Sequence, residues 1–204
     1  MLRRIPVIPT IVVMIAIGIM VRLGFWQIDR MHQKEALLVR YAASAYNPSL
    51  LNGLPLNSDL ADLLYRHVEV NCSEVTGWLS IAGHNQAEQP GFAHVALCKL
   101  DDRFALDGPG YDVAISIGWS TNPGNPDWRG GQVTGMLGPF KKGEAKIVAS
   151  PPLAGLEANA RPDPNNLPNN HWSYAIQWFL FALTALVIYA LALRKRLAAP
   201  GAAG

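Results

Sequence analysis

Two long stretches without a charge constrain this chain more than any other feature. Ile5 to Val21 reads IPVIPTIVVMIAIGIMV, and Tyr174 to Leu193 reads YAIQWFLFALTALVIYALAL. A helix that crosses a bilayer needs about 20 largely apolar residues, with a range of roughly 17–25, and both stretches qualify. The first continues as RLGFWQI, so Arg22 is the single charge before Asp29. The second has Trp172 and Trp178 toward one end and Arg194, Lys195 and Arg196 at the other. Aromatic belts and basic flanks of this kind mark membrane interfaces. The two runs explain why half of the chain is apolar and only 16% is charged, where about 25% is usual for soluble proteins. Disorder, which needs low hydrophobicity and high net charge, is excluded.

The first run has a basic start, Arg3 and Arg4, but no small-x-small cleavage site follows it, so it reads as a retained anchor rather than a signal peptide. The four residues before it leave no room for a mitochondrial presequence, which points to a bacterial protein. Basic residues gather on the cytoplasmic side of membrane proteins. The C-terminal end, with Arg194, Lys195 and Arg196 against Arg161, decides the orientation: both termini in the cytoplasm and the intervening segment outside, in the inner membrane. The overall charge of +2 is then an average of unlike parts. Residues 29–173 carry 11 basic and 15 acidic side chains, and the remainder 6 basic and none acidic. An acidic outer segment offers no basic footprint for nucleic acid.

The expected organisation is a transmembrane helix over 1–28, an extracytoplasmic domain over 29–170, a second transmembrane helix over 171–196 and a cytoplasmic tail over 197–204. Residues 27–46 continue the first helix outward until Pro48. Ser58 is placed to cap a short helix through Tyr65, with Asp59 and Asp62 in its early turns. Strand signals follow. Val68, Val70 and Cys72 alternate within 67–72, and Tyr111, Val113, Ile115, Ile117 and Trp119 face one way within 111–119, the pattern of a half-buried strand. Weaker strands are expected over 75–81, 92–100, 103–106, 132–137 and 146–150. Turn sequences such as Gly83-His84-Asn85 and Asn122-Pro123-Gly124 separate them. Several short strands joined this way predict a mainly antiparallel sheet closed or folded on itself. Residues 151–170 hold five Pro and five Asn and read as an extended linker back to the membrane.

Cys72 and Cys98 are the only cysteines. An oxidising compartment permits a disulfide, but pairing does not follow from sequence, and two free, half-buried thiols is the plainer expectation. Hydrolase and nucleotide chemistry find no support, since no G-x-S-x-G, P-loop, G-x-G-x-x-G or H-E-x-x-H is present. Among the five histidines, His171 stands apart at the outer mouth of the second helix, which Pro168 and Asn169 or Asn170 start. At 100° per residue His171, Ala175, Trp178, Ala182, Ala185 and Tyr189 share one face, with Tyr174 at its edge. Its small residues admit a second helix or a flat ligand. An imidazole there can ligate haem iron, although a capping or interfacial histidine is the plainer reading of the residue taken alone. At the same outer level of the first helix Trp26 and Arg30 are i,i+4 and suited to a cation–π contact. Arg30 or Lys34 could pair with anionic groups, by default lipid phosphates, and Arg22 could snorkel or pair with Asp29.

Two motifs at these outer ends resemble those of the Surfeit-locus family of cytochrome c oxidase assembly factors. Leu23, Gly24, Trp26, Gln27 and Arg30 match the Leu-Gly-x-Trp-Gln-x-x-Arg that closes that family's first helix. Asn170, His171, Tyr174, Ala175, Gln177, Trp178 and Phe179 match the Asn-His-x-x-Tyr-Ala-x-Gln-Trp-Phe that opens its second. Between them, 65–70 and 132–135 resemble family strands. So does 114–119, with Ile117 where the family usually has Arg. The resemblance implies two transmembrane helices enclosing a large extracytoplasmic domain, and no catalytic step; with the strand pattern above, the expected fold is two transmembrane helices flanking a mainly antiparallel β domain. It implies a factor that binds haem a and assists its insertion into the catalytic subunit of a haem–copper oxidase, with haem a synthase as a further candidate partner. His171 would be the axial ligand, and Trp172, Tyr174, Gln177, Trp178, Trp26, Gln27 and Arg30 would complete the site. The alternative is a membrane-anchored protein-binding scaffold without cofactor.

Overall fold

The apolar runs become the cores of two long helices. The computed structural model describes residues 6–55, 60–106, 108, 112–141 and 144–198, so Arg3, Arg4, Ser58, Asp59 and Tyr111 lie outside the described residues. Helix α1 is Val7–Tyr46 and α2 is His171–Ala198. Both are long and apolar enough to cross a membrane. The chain divides into two units: residues 1–37 with 168–204, and residues 38–167.

In the helical unit, Thr10, Val13, Ile17, Met20, Gly24, Gln27, Met31 and Lys34 are less exposed than most of their neighbours on α1. Along α2 the same holds for His171, Ala175, Trp178, Ala182, Ala185 and Tyr189. Both series alternate steps of three and four, the 3.5-residue seam of left-handed helix pairing. The pair is antiparallel: His171 Nδ1 lies 2.8 Å from Gln27 Oε1, and at the other end Thr10 and Tyr189 share a hydrogen bond between hydroxyls. Gly24 provides the close approach, since a Cβ there would come within 2.6 Å of the Phe179 ring. The helical face expected from periodicity is therefore the face that packs.

The second unit is a barrel. Its strands are β1 (Leu51–Asn52), β2 (His67–His84), β3 (Pro90–Leu100), β4 (Val113–Ser120), β5 (Gly131–Pro139) and β6 (Ala145–Ala149). The sheet runs β1-β2-β3-β4-β6-β5, and β5 also pairs with β2, which closes a five-stranded ring. The pairings β2–β3, β3–β4, β2–β5 and β5–β6 are antiparallel, while β1–β2 and β4–β6 are parallel. With β5 returning beside β2 this is a Greek-key barrel of the OB type. Leu54, Val68, Val70, Ile115, Ile117, Leu137 and Ile147 are fully buried in its core, each contributing about 1.5–3 kcal/mol on transfer from water. The last turns of α1 belong to this unit. Tyr41 meets Tyr65 at 5.0 Å between ring centroids, and Arg40 pairs with Asp62 at 2.8 Å.

Several expectations change. The strands expected over 67–72 and 75–81 are one long β2, bent at register shifts between Cys72 and Glu74 and between Val75 and Gly77. Residues expected to form a strand over 103–106 instead make a 3-10 turn at Asp102–Phe104, followed by the bridge of Ala105 to Leu54. β4 is buried on both faces from Val113 to Trp119 rather than on one. The cause is the segment over 151–167, which is a strap on the barrel and not a free linker. Leu153 N–H donates to Ile117 C=O at 2.8 Å, Trp119 and Glu157 exchange backbone hydrogen bonds of 2.7 and 3.0 Å, and Ala160 N–H donates to His84 C=O at 2.8 Å. Leu156 sits on Gly118, where a Cβ would approach it to 2.4 Å. Asn85, almost fully buried, ties the strap to the β2–β3 turn by donating to Gln89 at 2.7 Å and to the Glu157 carboxylate at 2.9 Å. The cysteines are not free either: Cys72 and Cys98 form a disulfide across β2 and β3 with a Cα–Cα distance of 5.5 Å, and both are buried in the core.

Candidate functional site

Of the residues singled out at the outer helix ends, the structure brings His171 and Gln27 into direct contact. His171 is the first residue of α2, following Pro168 and the Asn169–Asn170 pair. Gln27 lies on the seam of α1 one turn beyond Gly24, and it can reach the imidazole because Gly24 lets α2 come close. The amide oxygen accepts from Nδ1–H at 2.8 Å. That bond fixes the tautomer and leaves Nε2 with its lone pair and with no hydrogen bond among the described residues. A metal-binding imidazole is normally held in this way through its other ring nitrogen.

Aromatic side chains pack along the same two helices. Phe179 packs edge-on against Phe25 with centroids 5.4 Å apart, and Trp178 meets Phe181 edge-on at 6.2 Å. Trp178 shares the seam with His171, whereas Trp172 and Tyr174 are about half exposed, at 55% and 50%. Gln177 is also exposed. On α1 the Arg30 guanidinium lies 5.6 Å over the Trp26 ring and donates to Gln33 Oε1 at 2.9 Å. It meets no carboxylate among the described residues, and no ion pair joins Arg22 to Asp29 there. Thr10 and Tyr189 were not singled out as a pair by sequence. The signal available was the lone hydroxyl of the first apolar run, Thr10, and the last of three in the second, Tyr189, at matching distances from Gln27 and His171.

The barrel unit offers less. Among the described residues no three His, Cys, Asp or Glu side chains converge as a metal site would require. Ile117, at the position of the family's usual Arg, lies wholly within the core, and its side chain offers no polar atom. A cavity of about 340 Å³ beneath the strap is lined by Tyr65, His84, Lys146, Asn159 and Arg161 among others. Burial pushes the Lys146 ammonium below its ordinary range, and burial, with smaller effects from Tyr41 and Asp163, pushes the Tyr65 phenol up. The lining shows no nucleophile held by a base.

No individual curated protein matches the chain. A family model does, over residues 14–183, a span that takes in the facing portions of both helices, the Gln27–His171 contact and the whole barrel unit. The chain belongs to the SURF1 family, whose members are assembly factors for cytochrome oxidase rather than enzymes.

Proposed function

We propose that the protein holds haem a transiently through His171 and assists its insertion into the catalytic subunit of a haem–copper oxidase. The observation that carries this reading is the 2.8 Å contact from His171 Nδ1 to Gln27, which leaves Nε2 as the free donor. The donor set fits the group. Haem brings four equatorial nitrogens and asks the protein for axial ligands alone, so a single oriented imidazole suffices where a bare ion would need a cluster. Trp178 on the seam and Trp26 beside it would lie against the macrocycle, with Trp172 and Tyr174 at its margin. Arg30, which meets no carboxylate among the described residues, would meet a propionate. Gln177, on the opposite face of α2, is left out of this set.

Haem a supplies redox chemistry only once it is in the oxidase. The residues here bind it, orient it and release it. The same reading takes 1–28 and 171–196 as membrane spans, 29–170 as the extracytoplasmic part and 197–204 as a cytoplasmic tail, in the inner membrane of a bacterium, with haem a synthase as the candidate donor. Purification from cells that make haem a, with absorption spectra of wild type and His171→Ala, tests it. Haem in the wild type and its loss in the variant is the expected result. Equal haem in both removes His171 as ligand. No haem in either leaves the cofactor-free scaffold as the better account.

A further inference from the structure

We propose that the face of α2 turned away from α1 is a docking surface for a transmembrane helix of a partner in oxidase assembly. That helix would offer hydrogen-bonding side chains at two levels about 10 Å apart along its axis. The inference rests on the family's role in oxidase assembly and not on haem binding by His171.

Ser173, Gln177 and Thr184 follow one another at steps of four and seven residues and fall within about 40° of one another around the helix. His171, Ala175, Trp178 and Ala182, which face α1, lie about 150° away from them by the same count. All three polar residues are exposed, and none makes a side-chain hydrogen bond among the described residues. Gln177 and Thr184 nevertheless stand inside the uncharged run from Tyr174 to Leu193. The bilayer interior has no water to satisfy them. A primary amide carries two donors and an acceptor, and a hydroxyl one donor and two acceptor lone pairs. Such groups within a span turn toward other helices rather than toward lipid. α1 cannot serve them, because it occupies the other face and has its own polar ties at Gln27 and Thr10.

The geometry also sets the occupant. Steps of four and seven trace a 3.5-residue stripe, which a second helix follows when it crosses at about 20°. The occupant is therefore nearly aligned with α2 and membrane-embedded over at least the length from Gln177 to Thr184. It carries amide or hydroxyl groups opposite those two residues. A factor that serves a membrane-embedded oxidase meets such helices in its client.

The test places a photoreactive phenylalanine at position 177 or 184 of the full chain in native membranes, with position 183 as control. Leu183 is 56% exposed and lies on the flank of α2. The expected result is an adduct with a membrane subunit of the oxidase, identified by mass, at 177 and 184 and several-fold weaker at 183. Gln177→Leu should lower co-purification of that subunit roughly three- to tenfold, the range for one interhelical hydrogen bond. Adducts only between two copies of this chain would replace the partner with self-association. Adducts with lipid alone, or equal yields at 183, would remove the docking face. Haem content of the same preparations reports separately on His171.

Discussion

The contact between Gln27 and His171 is where one side chain has most influence. Gln27 touches no iron in this reading. It acts through His171, as a positioning residue that selects which ring nitrogen is free. Gln27→Leu keeps the helix and removes the acceptor, so haem affinity should fall about 10–100-fold, the usual effect of losing such a support. Gln27→Glu, which still accepts, should retain most of it. Titration of the purified variants with haem a is the measurement, and unchanged affinity in Gln27→Leu would refute the role. His94 shows a different kind of residue effect. It is 1% exposed in the barrel, with Nε2 2.8 Å from Ser120 Oγ and Nδ1 without a partner among the described residues. Burial holds its pKa below the ordinary 6.5, partly opposed by a backbone hydrogen bond with Asn122. Above pH 6.5 both folded and unfolded chains carry it neutral. Below that, the unfolded chain takes up the proton first, so stability present above 6.5 is lost as the pH falls through the folded-state value. Thermal midpoints of the full chain in detergent should therefore drop from pH 7.5 to pH 5.5, and His94→Gln should flatten that slope.

At the scale of elements, the disulfide and the strap are what make the barrel one body. Cys72 and Cys98 are separated by 26 residues, and closing a loop of that size in the unfolded chain is worth about 3–4 kcal/mol. A Cys72→Ser/Cys98→Ser variant should lose stability of that order in chemical denaturation, and a loss under about 1 kcal/mol would mean that the bond adds little. The two helices, the α2 face that packs and most strands were legible because each is a periodic pattern within a single element. The disulfide was not, because Cys72 and Cys98 come together only through the β2–β3 register, which two bulges shift. In that register Cys72 lies opposite Leu100, and Cys98 lies opposite Val75. The strap was hidden for another reason. It is anchored by backbone hydrogen bonds and by Leu153 and Leu156, set in a segment whose Pro and Asn content resembles a linker. That cover also explains why β4, alternating in sequence, is buried on both sides. At the candidate site both Gln27 and His171 stood out as residues. Their contact needed the antiparallel pairing of the helices and the missing side chain at Gly24.

For the whole molecule, charge and redox state point the same way. The barrel unit carries a buried disulfide, which persists in oxidising compartments, and the basic ends of the helices lie apart from it in sequence. Reporter fusions at either terminus should be active only in the cytoplasm, and a reporter inserted at the exposed Asn122–Gly124 turn only outside. The reverse pattern would overturn the orientation. The helical unit has a consequence of its own. Its polar ties, Gln27 to His171 and Thr10 to Tyr189, stand about 25–27 Å apart along the two axes, close to the roughly 30 Å of hydrocarbon they cross. With both ties made, the helices cannot slide past each other by a turn, so a thicker or thinner bilayer cannot be met by telescoping the pair. The mismatch must be taken up by tilting both helices together or by deforming the lipid. Local membrane thickness thus acts on a single rigid ruler, and the depth at which His171 sits follows from it.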